Sequence, residues 1–348
     1  MFAQEDAAQP PKRRRKTAII VLAGTGALLI IAVTVAALYL SSLSGAYQES
    51  VNVIPEADTF PEDQDRPERS TTNDDGEEVE DEQLNILLIG SDSGGGSGET
   101  ENVPWLPNAG RADTIMWMHI PHDRESIQVM SIMRDTWVPI PGHGEAKINA
   151  SMSYGGSATT VSTLENLMGV RIDHVAAVDM VGFQNLVGAM GGVTVDSPVT
   201  FTSRDGHQFH GGPQDLSATE AMSFVRERKA FDDGDFQRVA NQQALVRGVL
   251  DEVLTASTLT NPVTIHNMVS DFSPYMAVDS QLGEAEYVAD FGWSMREVRG
   301  GDIDMFTIDN LGIGSAGSES IIVADHEAFA EAGEAMREGA FDEYAAQH

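Results

Sequence analysis

The chain has 348 residues, with 21 Lys+Arg against 54 Asp+Glu, a formal net charge of −33, and no cysteine. So acidic a balance excludes a nucleic-acid partner, because neutralising phosphates takes many Lys and Arg spread over a broad face. The lack of cysteine excludes disulfides, thiolate nucleophiles and thiolate metal sites, and leaves the fold to be held by its core alone.

At the N-terminus a basic cluster, Lys12 to Lys16, precedes 24 uncharged residues, Thr17 to Leu40. That stretch is long enough to cross a hydrocarbon core of about 30 Å as a helix. The cluster predicts a cytoplasmic tail over 1–16 and an outer location for everything after Ser41. Ser44-Gly45-Ala46 has the small residues of a cleavage site, but the apolar stretch exceeds the roughly 7–15 residues of a secretory signal. The expectation is therefore a single-pass cell-membrane protein anchored by a transmembrane helix at 17–40, with an extracellular domain. Residues 41–83 form a predicted disordered acidic stem, since 47–83 holds 14 acidic and two basic residues and little to bury.

About 265 residues follow, a length that suits one large α/β domain. Leu84–Ile89, Thr114–Ile120 and Ile127–Ile132 are strand-like runs, the last two separated by the polar turn PHDRES; His174–Val178 and Val193–Val195 are shorter ones. Thr159–Met168, Val181–Met190 and Gln237–Leu254 have helical spacing, and the first two are followed by glycine. Further strands are expected at Met305–Ile308 and Ile321–Val323, then a helix from His326, completing the sheet and one face. Strands interleaved with helices imply a three-layer α/β/α domain, and the PHDRES hairpin makes its central sheet mixed. His119 and His174 lie in apolar strands and are read as core or edge residues, and no GxSxG elbow or zincin spacing appears.

Chemistry concentrates in three runs: Gly90 to Asp113, Ser131 to Asp135, and Val225 to Gln243. Arg111, Arg134, Arg226, Arg228, Lys229 and Arg238 all fall in them. Guanidinium forks held at a few points of an acidic surface suit a phosphate-bearing anion. Asp92, Asp113 and Asp235 offer hard oxygen donors for a divalent cation sharing that anion. Asp92 follows a strand end, where α/β sheets present ligands. Asp235 is placed to cap a helix starting at Phe236, on which Arg238, Gln242, Leu245 and Val249 share a face. A guanidinium, an amide and two apolar side chains in line suit a pyrophosphate head with an apolar tail. The SGGGSG loop at 93–98 lacks the Gly-Lys-Ser/Thr ending of a P-loop.

NILLIGSD (85–92), RADTIMWMHI (111–120), SIMRDTWVPIPGHGEAKINASMSYGG (131–156), RIDHVAAVDMVGFQNLVGAMGGVTV (171–195) and VRER…DFQRVANQQ (225–243) occur in the order and spacing of the LytR-CpsA-Psr family. The resemblance is dense over 84–255 and looser to 348. It implies a membrane-anchored phosphotransferase that attaches a glycopolymer, of teichoic acid, capsule or arabinogalactan type, from a polyprenyl-pyrophosphate carrier to peptidoglycan. It also implies Mg²⁺ (or Mn²⁺) on Asp92 and Asp113, and Arg111, Arg134, Arg226, Arg228 and Arg238 on the phosphates. Lys147, Gln242, Leu245 and Val249 are the further substrate contacts; the general base is not readable from the sequence, with Asp135 and Asp235 its two candidates. Two departures stand out: Asn241 occupies a position usually basic, which weakens the expected phosphate field, and Met133 replaces the usual proline. A polyprenyl-pyrophosphate hydrolase and a non-catalytic module that binds lipid-linked polymer remain alternatives on the same residues.

Overall fold

The structure, a computed structural model, describes residues 39, 41–72, 78–80, 83–91, 112–231, 235–255 and 261–348. It divides into two compact units, Met1–Ala46 and Tyr47–His348, and the second carries the fold. The expected span 17–40 lies almost wholly outside the described residues, among which no helix is long and apolar enough to cross a membrane.

The central sheet takes strands from along the whole second unit: β1 (Asn52–Val53), β2 (Leu84–Ser91), β3 (Ala112–Ile120), β4 (Ile127–Ile132), β5 (His174–Asp179), β6 (Met276–Val278) and β7 (Ile303–Thr307). Their order is β1-β6-β5-β2-β3-β4-β7. β2 and β3 are antiparallel, as are β3 and β4 across the PHDRES turn, whereas β2 with β5 and β4 with β7 are parallel. The expected mixed sheet is present.

Alternation along each strand splits the side chains between two layers. Leu87, Ile89, Ile115, Trp117, Met130 and Val175 pack against the helices Ala150–Met168, His326–Arg337 and Phe341–Ala345. On the other face Ile86, Leu88, Met116 and Val129 pack toward Val246 and Leu250 of the helix Asp235–Val253 and toward Phe291 of the helix Ala285–Ser294. The helix Ala150–Met168 extends the expected 159–168 backward across a break at Gly155 and Gly156, where Gly156 takes φ 67°. His119 is buried and shares Asn85 Oδ1 with the Trp117 indole N–H, at 2.9 and 3.0 Å. Burial, aided by the Arg124 charge, pushes its pKa down to about 4, so it is a neutral core residue.

Three expectations are corrected. Ile321–Val323 does not join the central sheet: Glu319–Ala324 sits in a second, four-stranded sheet with Asn310–Ala316, Thr136–Ile140 and Gly144–Lys147. Val193–Ser197 likewise pairs apart, antiparallel to Gly212–Leu216. The largest correction concerns the stem. Val51 and Ile54 are buried, Asn52–Val53 extends the sheet edge, and the Tyr47 hydroxyl donates to the Leu282 carbonyl at 2.6 Å. Arg66 reaches Glu165 at 2.7 Å with both side chains buried, and its guanidinium also lies 4.5 Å from the Phe60 ring. The folded unit therefore starts near Tyr47, not Leu84.

Candidate functional site

The sheet brings Ser91, Ala112, Ile132, Asp179 and Thr307 to one edge, because β2, β4, β5 and β7 end there and β3 begins there. Carboxyl ends of such strands are where α/β sheets present ligands. Asp113 stands at the start of β3, and Arg134 and Asp135 follow β4. The helix Asp235–Val253 aims its N-terminal turn at the same edge, held by Gln243, whose amide donates to Ser131 Oγ at 2.9 Å and Thr307 Oγ1 at 3.0 Å.

Four cations and three carboxylates meet there. Arg134 Nη1 bonds Asp113, and Arg134 Nε lies 3.9 Å from Asp135 and 3.8 Å from Asp235. Arg238 Nη2 donates to Asp235 at 3.1 Å, and Arg228 Nε stands 2.9 Å from the other Asp235 oxygen, outside hydrogen-bonding geometry. Lys147 Nζ lies 3.4 Å from Asp135. Asp235 thus stands in the first described turn of its helix, gripped by guanidiniums.

The cluster is electrostatically unfinished. Among the described residues, Arg134 Nε and Arg238 Nε are buried without a hydrogen bond, an arrangement that costs stability unless a ligand completes it, and buried Asp235 Oδ1 has the Arg228 ion pair in place of one. Arg238 is 6% exposed in its side chain. Burial and the neighbouring Arg134 charge, against the opposing pull of Asp235, push its pKa down to about 10, so it stays cationic at neutral pH. Guanidiniums crowded together under burial call for an anion with several oxygens.

One turn along the same helix the surroundings become apolar. A cavity of about 160 Å³ is walled by Leu88, Gly90, Met116, Val178, Phe183 and Leu245, with Gln242 and Thr114 as its polar members. Gly90 is required at its rim: a Cβ there would stand 2.8 Å from that of Thr114. Polar cluster and apolar cavity share the first three turns of one helix, an arrangement whose chemistry suits an amphiphile with an anionic head.

Of the expected site residues, Asp113, Arg134, Asp135, Lys147, Arg228, Asp235 and Arg238 are gathered at the cluster, with Gln242 and Leu245 at the cavity. Val249 packs into the core beside Val193 and Leu216 and does not line the cavity. Arg226 lines an adjoining cavity of about 590 Å³ with Arg204, Lys229 and Arg228. Asp92 and Arg111 lie outside the described residues, and among the described residues no group of three His, Cys, Asp or Glu could hold a metal ion. Sequence reasoning missed Glu227, masked by its place between two arginines. Burial works to raise its pKa, but the backbone N–H groups of Arg204, Ala230, Lys229 and Arg228 hold it below the ordinary carboxylate range, and so fix the loop carrying Arg228.

Asn241 is also reinterpreted. It is fully buried, donating to the Phe224 carbonyl at 3.1 Å and accepting from Gln237, so it clamps two helices. Asn241→Arg is therefore expected to lower Tm, because it forces an unpaired cation into a sealed position. A thermal melt checks this; an unchanged Tm with raised turnover would restore the basic-residue reading. Met133, at the usual proline position, packs on Val239 and Ile322.

A mixed α/β domain with a central mixed sheet, carrying an arginine-rich cluster beside an apolar cavity, is the class defined by this geometry. The chain belongs to the LytR_cpsA_psr family, whose model matches residues 50–338. It is 34% identical over 192 residues, 55% of this chain and 60% of the other, to the polyisoprenyl-teichoic acid–peptidoglycan teichoic acid transferase TagU of Enterococcus faecalis. It is 29% identical to the cell wall biosynthesis protein LcpA of Corynebacterium glutamicum, covering 75% of this chain and 58% of that one. The crystal structure of B. subtilis TagV superposes with a TM-score of 0.62 at 24% identity, over 76% of this chain and 99% of that one, a likeness of fold. The chain spans a little over half the length of the curated relatives it matches.

Proposed function

We propose that the protein transfers a phosphoglycosyl group from a polyprenyl-pyrophosphate-linked glycan to a hydroxyl of peptidoglycan. The observation that carries this reading is the junction of buried guanidinium nitrogens, without a hydrogen bond among the described residues, with an apolar cavity along one helix. Pyrophosphate would take the nitrogens of Arg134 and Arg238 and draw Arg228 from Asp235, while the first prenyl units enter beside Leu245 and Phe183. Such a transfer asks the protein for alignment and charge cancellation more than for covalent chemistry. TagU of E. faecalis, by its name, moves teichoic acid from a polyisoprenyl carrier to peptidoglycan, and the family membership supports the same class of reaction here.

The reading includes Mg²⁺ or Mn²⁺ held by Asp113 together with Asp92. The support is the donor set: Asp113 is a hard oxygen donor at the rim of the anion site, and its ion-pair partner among the described residues is Arg134, which the pyrophosphate would engage. The cation would supply neutralisation of charge gathering on the departing polyprenyl phosphate. It also includes a single membrane anchor at 17–40 with the folded domain outside, supported by the uncharged span behind Lys12–Lys16.

The test is incubation of the full chain with a polyprenyl-pyrophosphate-linked disaccharide and peptidoglycan glycan strands, following polyprenyl phosphate release and product attachment. Transfer that requires Mg²⁺, and falls by orders of magnitude in Asp113→Asn while the melt is kept, is the expected result. Full activity of that variant in chelator would remove the metal, and release without attachment would make the protein a hydrolase.

A further inference from the structure

A third cavity, of about 610 Å³, lies between the Thr136–Lys147 hairpin and the start of the helix Ala150–Met168 and reaches Arg228 of the cluster. Arg134 and Asp135 form its inner wall, and Trp137, Lys147, Tyr154 and Glu319 are among the residues that line it. Its chemistry differs from that of the other two cavities. Trp137 is half-buried on its strand, between the buried Thr136 and Val138, and its indole N–H donates to Glu145 at 3.1 Å, which fixes the ring plane. Tyr154 is 43% exposed and its ring stacks on His143 at 4.5 Å and 13°. Aromatic faces held in fixed planes beside carboxylates, an ammonium and the Asn149 amide suit a sugar, which offers C–H faces to rings and hydroxyls to polar groups.

The two aspartates are not equivalent toward this cavity. Asp235 is surrounded by Arg134, Arg228 and Arg238 and does not line it. Asp135 lines it, 20% exposed in its side chain. The charged groups facing Asp135 are Lys147 at 3.4 Å, itself 3.5 Å from Glu319, and Arg134 at 3.9 Å. A hydroxyl lodged against Asp135 therefore meets a phosphoryl group bound by the very next residue, Arg134.

Resting on the transferase reading above, we infer that this cavity is the acceptor-glycan subsite and that Asp135 is the general base for the acceptor hydroxyl. The acceptor oxygen bonds to the phosphorus that carries the glycan. The bond from that phosphorus to the bridging oxygen breaks, polyprenyl phosphate departs with its electron pair, and the hydroxyl proton passes to the Asp135 carboxylate. The products are a glycan phosphodiester on the acceptor, polyprenyl phosphate and one proton. Approach from the hairpin side leaves the apolar cavity, which shares no lining residue with this one, to the departing lipid.

The experiment uses the full chain, a polyprenyl-pyrophosphate-linked disaccharide as donor, and un-cross-linked glycan strands, ethanol or trifluoroethanol as acceptors. Asp135→Asn is expected to keep the donor Kd within about twofold while transfer to glycan strands falls by roughly 10²–10⁴-fold, the range of general-base contributions. Its deficit should shrink with trifluoroethanol relative to ethanol, because a more acidic alcohol needs less help from a base. Trp137→Ala, with its melt compared to wild type, should raise the acceptor KM about tenfold with donor Kd held, the worth of one aromatic contact. Wild-type transfer rates in Asp135→Asn, an equal deficit with both alcohols, or an unchanged acceptor KM in Trp137→Ala would each overturn the subsite while leaving the transferase standing. A wild-type chain that binds the donor but passes it to no acceptor would sink both.

Discussion

Arg238→Ala is expected to lower kcat/KM for glycopolymer transfer by roughly 10²–10³-fold, about 2.7–4 kcal/mol of transition-state stabilisation, as for other preorganised donors of this kind. Its guanidinium is buried, stays cationic despite a pKa lowered to about 10, and holds an Nε with no partner. It stands between the anion cluster and the apolar cavity, one turn before Gln242. Arg238→Lys should already lose much of the rate, because an ammonium keeps the charge but not the two-pronged fork. Asp235 also pairs with Arg238, so a purely structural role has to be separated out. Steady-state kinetics beside a thermal melt does this. If Arg238→Ala melts several degrees lower yet turns over at the wild-type rate, the arginine serves only Asp235, and the pyrophosphate must bind elsewhere.

What the sequence disclosed of this site follows from how each residue is placed. Asp113, Arg134 and Asp135 sit at strand ends, and alternating strands such as Ala112–Ile120 announce both their faces and their ends. Arg238, Gln242 and Leu245 fall on one helical face, so their convergence was legible from spacing. Val249 obeys the same spacing but lies beyond the cavity, because periodicity gives the face of a helix and not how far along it a ligand reaches. Arg226 and Arg228 alternate in sequence, yet the helix Ala218–Arg226 ends between them, and Glu227 turns the chain so that only Arg228 meets Asp235. The helix-clamping role of Asn241 was hidden for a related reason: its hydrogen bond to Phe224 is a tertiary fact with no local signature. The second sheet was illegible because the Thr136–Ile140 strand carries Pro139 and the next strand opens on Gly144, residues that ordinarily punctuate strands.

The stem was hidden by dilution. Val51, Ile54 and Phe60 are scattered among carboxylates with no period; Val51 is buried, Ile54 completely so, and Phe60 partly. Arg66 is the decisive residue of this segment. It faces Glu165, whose side chain is 1% exposed, and both Arg66 Nε and Nη2 bond that carboxylate, at distances between 2.7 and 3.2 Å. Glu165 in turn accepts from the Ile172 N–H at 2.8 Å, so its charge cannot swing to water when the arginine is lost. Arg66→Ala is therefore expected to cost about 3–5 kcal/mol, the effect of stranding one charge of a buried pair. Removing both charges, as Arg66→Met with Glu165→Leu, should recover most of that loss, because the desolvation cost goes with them. For the same reason a truncated chain beginning at Leu84 should aggregate, although composition alone marked that boundary as safe. Urea unfolding of the two variants is the measurement. A loss below about 1 kcal/mol in Arg66→Ala, the worth of an exposed pair, would mean that residues 51–69 lie loosely on the domain and that the acidic stem is a spacer after all.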